Sequence, residues 1–467
     1  MISLRWALAA ILAVSFAVFV TFFGRLPALR YYSKPKTFRK VASRFSPSGL
    51  CTTLLISKPH RRRTPIGLLH RLLWIHIPSV LLAVDDRVAS KRISKSFSRF
   101  GHFLAHDRHP TVVIFFLVLM AGGEYLYIPP VWHRLSLLTK STVALAVCLP
   151  YLFLYLSCAA DPGYITRENH PYHMSLYPYD HALFHPGAEC TTCGFLKPPR
   201  SKHCSVCKRC VAKADHHCIF INSCVGYANQ RWFIMLLAST AVLCTYGGVL
   251  GACLLSAPIR EHFVDWSPWH PARHGWSMYL VIWGWGMQAN IGLGATALLA
   301  GLTAPLVWGL LAYTLYLAYC GTTTNESLKW AVIRDDIGDG YVFRRSMSLA
   351  RHRDLIQEPL CARWPATPAM ALAATNDGNP PAASLRLAGD GDWERVWSLK
   401  HVENLYDLGL CDNLADIFIK DYAFGAAMHQ ENAAAAAERS TRSIHPTPFQ
   451  DTSLRNLGTD AAKTEKL

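Results

Sequence analysis

Ten side chains able to bind a metal or act as a nucleophile crowd the stretch 190–224: Cys190, Cys193, His203, Cys204, Cys207, Cys210, His216, His217, Cys218 and Cys224. Cys190-x2-Cys193 and Cys204-x2-Cys207 have the spacing of zinc knuckles. A structural zinc takes four N/S ligands in a closed tetrahedron. Two such sites use eight of the ten candidates and leave two. If the spares are one Cys and one His, a thiol stands beside an imidazole. With a carboxylate to orient the ring, that is an activated thiol nucleophile, because the thiolate is the reactive species and an imidazole neighbour favours it. Asp215-His216-His217-Cys218 is the one place with two His, a Cys and an acid together. Spacing alone does not say which His is spare.

The elements that position this loop are read from hydropathy. Apolar residues make up 51% of the 467-residue chain and charged residues only 17%, against about 25% charged in soluble proteins. The apolar residues collect in blocks of bilayer-crossing length, which excludes a simple soluble enzyme. The 15 Cys are too sparse for a disulfide scaffold, which needs roughly 8–10%. The blocks are Trp6–Phe23, about Thr111–Ile128, Thr142–Cys158 and Trp232–Ser256, and the long stretch Met278–Cys320. The first has no small-residue cleavage site after it and reads as a retained anchor. In the last, Gly284, Gly286, Asn290 and Gly292 interrupt the first half. It holds one full span at about Leu298–Cys320, preceded by an interfacial or re-entrant piece.

Lys and Arg set the orientation. Segment 24–110 carries 18 of them against three Asp, loop 129–141 two, loop 159–231 eight and loop 257–277 two. The alternation places 24–110 and 159–231 in the cytosol and the N-terminus outside. Within the first, Leu68–Val84 holds His70, Arg71, His76 and Pro78 and reads as an interfacial helix. Because the cytosol is reducing, the loop cysteines are metal ligands or thiols, not disulfides. The net charge of +16 belongs to loops beside anionic lipid, so the lipid bilayer is a partner and nucleic acid is not. The expected organisation is therefore 1–24 anchor, 25–110 basic cytosolic segment, 111–158 two spans, 159–231 zinc-binding cytosolic loop, 232–320 two spans, and 321–467 a cytosolic tail. In the tail, 361–392 and the residues from Ala433 onward read as unstructured. Trp393–Tyr422 reads as a short structured piece. The fold class is an all-α polytopic membrane protein, a four-helix core plus one N-terminal span, carrying a small zinc-binding domain.

Asp215-His216-His217-Cys218 inside this knuckle framework resembles the DHHC family of protein S-acyltransferases (palmitoyltransferases). The match runs from Cys190 to Phe233 and includes Lys197-Pro198, Arg200, His203-Cys204, Asn222, Cys224-Val225-Gly226 and Asn229. Asp161-Pro162-Gly163 and Thr323-Thr324-Asn325-Glu326 are similar to the family's elements flanking the loop. By themselves they are an ordinary turn and a helix capping box. Asn404-Leu405-Tyr406-Asp407-Leu408-Gly409 with Asn413 and Ile417-Phe418 loosely resembles the family's C-terminal element. The resemblance implies two interleaved structural zinc sites, Cys190, Cys193, His203, Cys210 and Cys204, Cys207, His217, Cys224. It implies Cys218 as nucleophile with His216 and Asp215 as its catalytic partners, palmitoyl-CoA as acyl donor, and membrane proteins with juxtamembrane cysteines as substrates. Lys197, Arg200, Lys202 and Lys208 are the candidates to meet the CoA phosphates. Two positions depart from the family pattern: Ile219-Phe220 follows Cys218 where Pro-Trp is usual, and Ser223 replaces an Asn. The Ile and the extra N-terminal span resemble the fungal SNARE-acylating members of the endoplasmic reticulum.

Two other readings use the same zinc loop. A membrane-anchored RING-like ligase predicts no spare Cys and a terminal C-x2-C pair, whereas this loop ends Cys218-x5-Cys224. A zinc adaptor without catalysis predicts tolerance of Cys218→Ser.

Overall fold

The computed structural model describes residues 107–424, apart from 271–274, 349–350, 352, 362, 383–386 and 423, together with the isolated positions 72, 99 and 103. The expected anchor at Trp6–Phe23, nearly all of 68–84 and the tail beyond 424 lie outside the described residues. The main elements in chain order are α1 (Thr111–Val131), α2 (Leu137–Ala159), α3 (His170–Ser175), β1 (Lys202–Cys204), β2 (Arg209–Val211), β3 (His216–Cys218), β4 (Ser223–Val225), α4 (Gln230–His262), α5 (Gly275–Ala289), α6 (Ile291–Tyr319), α7 (Thr324–Gly338), β5 (Val342–Ser346), β6 (Met370–Ala374), β7 (Asp390–Arg395) and α8 (Leu410–Phe418).

Among the described residues, four helices are long and apolar enough to cross a membrane: α1, α2, α4 and α6. Helix α4 is the hub, packing on α2, α5 and α6. Without a hydrophobic drive between helices in lipid, close backbone approach supplies the contact, and small residues permit it. A Cβ on Gly248 would lie 3.2 Å from the Gly301 backbone, and one on Gly251 only 2.4 Å from the Ala297 side chain. Gly251→Leu is therefore expected to force α4 and α6 apart and destabilise the bundle by about 1–3 kcal/mol. A thermal melt of the detergent-purified variant checks this.

The last span begins earlier than hydropathy places it. Helix α6 starts at Ile291 rather than near Leu298, because Asn290 caps it by accepting a hydrogen bond from Leu293 N at 3.1 Å. Gly292, an interruption on hydropathy grounds, is instead a contact point, and so is Gly294. A Cβ there would press on Leu126 and Met287 respectively. The preceding α5 has 15 residues, which is too short for the roughly 20 a span needs.

Outside the bundle the chain is not all helix. The Cys-rich loop holds two antiparallel hairpins, β1–β2 and β3–β4, and the tail holds a three-stranded antiparallel sheet in the order β6-β5-β7. Segment 361–392, expected to lack structure, contains strand β6 and buried Trp364, whose Nε1 donates to Leu405 O at 3.0 Å. The Ala-rich run Met370–Ala374 has little pattern of its own. Alanine is depleted in strands, so the pairing with β5 and the burial of Ala371 and Leu372 hold the run extended.

Candidate active site and its two Cys/His clusters

Each hairpin places a His directly opposite a Cys. His203 pairs with Cys210 across β1–β2, and His217 pairs with Cys224 across β3–β4. Opposite residues in an antiparallel pair share one face of the ribbon. Each hairpin thus presents one N and one S ligand, and a Cys-x2-Cys knuckle completes each set. The groups are Cys190, Cys193, His203, Cys210 and Cys204, Cys207, His217, Cys224, with all ligand atoms of a group within 4.8 Å of one another. The His203 Nδ1 lies 3.5, 3.4 and 3.8 Å from the three sulfurs of its group. The His217 Nδ1 lies 3.7, 3.4 and 3.6 Å from its three. Tetrahedral zinc with bonds of about 2.3 Å to S and 2.0–2.1 Å to N needs N···S edges of about 3.5 Å, so both clusters fit the ion. The knuckles repeat one local design. Cys193 N donates to Cys190 Sγ and Cys207 N to Cys204 Sγ. The next residues, Gly194 and Lys208, adopt φ of 67° and 57°, each closing its turn onto the carbonyl of the first Cys.

Strand alternation separates the remaining pair. With a side-chain period of two, His216 and Cys218 point to the face of β3 opposite His217. Asp215 sits just before them and is buried. Its Oδ2 lies 2.5 Å from His216 Nδ1. Its two oxygens also accept from Thr324 N at 2.7 Å and Thr324 Oγ1 at 2.9 Å. Thr324 opens α7, so Asp215 lies at the positive end of that helix. Burial alone would raise the Asp215 pKa, but the bonds to His216 and Thr324 outweigh it and hold the pKa below the usual carboxylate range. Loss of water disfavours the His216 cation, yet its bonds to Asp215 and Cys218 prevail and raise its pKa to about 10. Burial raises the Cys218 thiol, and His216 more than reverses this, leaving it lowered. At neutral pH the arrangement favours a thiolate–imidazolium pair held by a carboxylate.

Cys218 is 8% exposed and belongs to the apolar cluster that contains Leu154 of α2, Phe233 and Leu237 of α4, Leu311 and Ala318 of α6, and Ile417 of α8. Phe116 and Leu117 of α1 pack against the same cluster. The thiol therefore lies where the hairpins meet one set of ends of the four long apolar helices. Phe233 also meets the His216 ring edge-on at 5.3 Å. Of the two unusual residues after Cys218, Phe220 remains half exposed with its ring against Phe116 at 6.4 Å.

The candidate phosphate ligands divide. Arg200 is 1% exposed. Its Nε and Nη2 each reach the Glu326 carboxylate at 2.7 Å, and Nη2 also donates to Gly321 O at 2.9 Å. The rings of Tyr177 and Tyr406 lie 5.0 and 4.4 Å from its guanidinium carbon. Arg200 is thus corrected from a CoA contact to an internal latch, since no face of it reaches solvent. Lys202 and Lys208 are exposed or nearly so and Lys197 is half buried. Lys202 Nζ also donates to Asn325 Oδ1 at 3.0 Å. Removing one partner of a buried ion pair typically costs about 3–5 kcal/mol. Arg200→Ala is accordingly expected to lower the melting temperature sharply, while Lys208→Ala leaves it unchanged in the same melt.

Sequence spacing does not reveal how the Thr323–Glu326 element works. Thr323 and Glu326 do form a reciprocal capping box. The same four residues also hold Asp215, through Thr324, and Arg200, through Glu326, so the capping and the functional readings coincide. The tail residues match this pattern. Asn404 and Asn413 donate to the Cys320 and Tyr319 carbonyls at the end of α6, groups a helix terminus leaves unpaired. Asp416, which no sequence motif marks, accepts from Lys213, Arg363 and Tyr177 and ties α8 to the loop.

A helix bundle long and apolar enough for a membrane, with a Cys–His–Asp trio at the end of its apolar core and two closed Cys/His clusters beside it, has the parts of a thiol-nucleophile site at a membrane. Comparison with known proteins agrees. A family profile described as DHHC palmitoyltransferase matches residues 184–331. The chain is 47% identical over 427 residues to Palmitoyltransferase SWF1 of Neurospora crassa, covering 89% of this chain and 92% of the relative. It is 37% identical to Palmitoyltransferase swf1 of Emericella nidulans, over 81% of this chain and 96% of that one. It is 34% identical to Palmitoyltransferase ZDHHC4 of Mus musculus, over 53% and 75%. The chain belongs to the DHHC palmitoyltransferase family and is an integral membrane protein S-acyltransferase of the fungal SWF1 group.

Proposed function

We propose that the enzyme transfers a long-chain acyl group from acyl-CoA to cysteines of membrane proteins by a two-step exchange through Cys218. The observation that carries this is the Asp215–His216–Cys218 trio at the mouth of the bundle's apolar core. His216 takes the Cys218 proton, and the thiolate attacks the thioester carbonyl of palmitoyl-CoA. The C–S bond to CoA breaks, and the departing CoA thiolate recovers the proton from His216. His216 then takes a proton from the substrate thiol. That thiolate attacks the acyl-enzyme, and Cys218 leaves as thiolate beside the imidazolium. Splitting the exchange in two replaces one difficult encounter by two easier ones. Asp215, fixed by Thr324, keeps His216 oriented through both.

Cys190, Cys193, His203 and Cys210 would hold one zinc, and Cys204, Cys207, His217 and Cys224 the other. Each shell is full, so the ions supply rigidity. The acyl chain takes the apolar interior of the bundle, where each buried CH₂ contributes about 0.8 kcal/mol. Lys197, Lys202 and Lys208 meet the CoA phosphates. His203 lies within electrostatic range of Lys197 and Lys208, which supports a shared basic edge at the first hairpin. The basic loops support a cytosolic active site. Ile219 and the extra N-terminal apolar block, which resemble the fungal SNARE-acylating members of the endoplasmic reticulum, support residence in that membrane and SNARE-type substrates. Acylation of purified enzyme by an alkynyl palmitoyl-CoA tests the core of this reading. Label that resists hydroxylamine, or that appears equally on Cys218→Ser, rejects it.

A further inference from the structure

At the inner ends of α2, α4 and α8 lies a cavity of about 230 Å³ that the acyl-transfer reading leaves unused. Its walls include Asp161, Arg231, Trp232, Asp416, Ile417 and Lys420. Asp416 is charge-paired, while Asp161 is hydrogen-bonded but keeps its charge. Asp416 is saturated by Lys213, Arg363 and Tyr177. Asp161 Oδ1 accepts the amides of Gly163 and Tyr164 at 2.7 Å each. The two cations outnumber that one remaining acid, and among the described residues neither is in an ion pair. Lys420 is exposed, and Arg231 makes one long hydrogen bond, 3.4 Å from Nη1 to Phe418 O. The Arg231 Nε is buried with no hydrogen-bond partner among the described residues, a state that native proteins seldom leave unrelieved.

The depth of the cavity identifies its occupant. Two apolar spans end here, α2 at Ala159 and α4 at Gln230. Trp232 stacks on Phe153 at 6.4 Å, and the Arg231 guanidinium sits 4.8 Å over the Trp232 ring. A Trp with an Arg over its ring at the end of an apolar span fits the headgroup layer. A volume of about 230 Å³ gives room for a single phosphodiester. We infer that this cavity binds the phosphate of a membrane phospholipid between Arg231 and Lys420, with its acyl chains running down the outside of α2 and α4. The shared wall at Ile417, which also packs in the Cys218 cluster, sets this headgroup beside the catalytic end of the bundle.

The test is a melt of the full-length, detergent-purified protein titrated with short-chain phosphatidylglycerol, with inorganic phosphate, and with the matching diacylglycerol. Wild type is expected to be stabilised by the phospholipid alone. Arg231→Gln and Lys420→Gln should each weaken the apparent affinity at least tenfold. Arg231→Gln disturbs the stack on Trp232, so exposed Lys420→Gln decides the matter if the first variant folds poorly. An unchanged titration in Lys420→Gln overturns the inference. So does an equal response to inorganic phosphate, which means a free-anion site, or to diacylglycerol, which means apolar binding only.

Discussion

Cys218→Ser will abolish hydroxylamine-sensitive labelling by palmitoyl-CoA while leaving the protein folded and metal-loaded. Serine fills almost the same space at a site that is 8% exposed, so packing is preserved. A hydroxyl lacks the low pKa that makes the thiol nucleophilic beside His216. Loss of a nucleophile that acts as one unit with its base costs on the order of 10⁶-fold in turnover. Asp215→Asn keeps the volume but deprives His216 of its charged partner and Thr324 of a carboxylate. The equivalent change in a serine protease triad costs about 10⁴-fold. A thiol is the better nucleophile, so the loss here should be smaller, about 10²–10⁴-fold. Single-turnover labelling rates separate the two variants: none for Cys218→Ser, slow but complete for Asp215→Asn. Equal labelling of wild type and Cys218→Ser would instead favour a zinc-binding adaptor on this fold.

The second large effect concerns the metal clusters. Cys210→Ser and Cys224→Ser would each remove one ligand from one proposed metal shell, and both residues are buried. A structural zinc contributes about 10–16 kcal/mol in zinc-finger peptides, comparable with the roughly 5–15 kcal/mol total stability of a domain. Either change should therefore unfold the hairpin it belongs to. Metal analysis is expected to fall from two zinc per chain toward one, and labelling at Cys218 should be lost with it. Cys224→Ser should act more severely on labelling, since β4 pairs directly with the strand carrying His216 and Cys218. A variant that keeps two bound ions would remove its cysteine from the ligand set. Full activity after one ion is lost would show that the brace is dispensable.

What can be read from residues alone depends on the range of the interaction. The four core spans follow from runs of apolar residues, a local property. Their ends shift where a cap or a glycine contact intervenes, as at Asn290 and Gly292. The strand at Met370–Ala374 is hidden because its pairing partner, β5, lies across a long connection and its alanines carry little pattern of their own. Arg200 misleads for a related reason. A basic residue in a basic loop reads as solvated until Glu326, 126 residues away, is placed against it.

Residue types and short spacings suffice for the ligand count, ten candidates against the eight that two closed tetrahedra take. Hydropathy suffices to place them between long apolar helices. How the two in excess become a site depends on contacts between remote segments. Hairpin pairing aims His217 and Cys224 to one face and His216 and Cys218 to the other. Chain crossing brings Thr324 onto Asp215 across 109 positions. Helix ends bury Cys218 at the mouth of the bundle. Those are contacts between segments remote in sequence, and they exist only once hydrophobic burial and helix packing have brought the segments together.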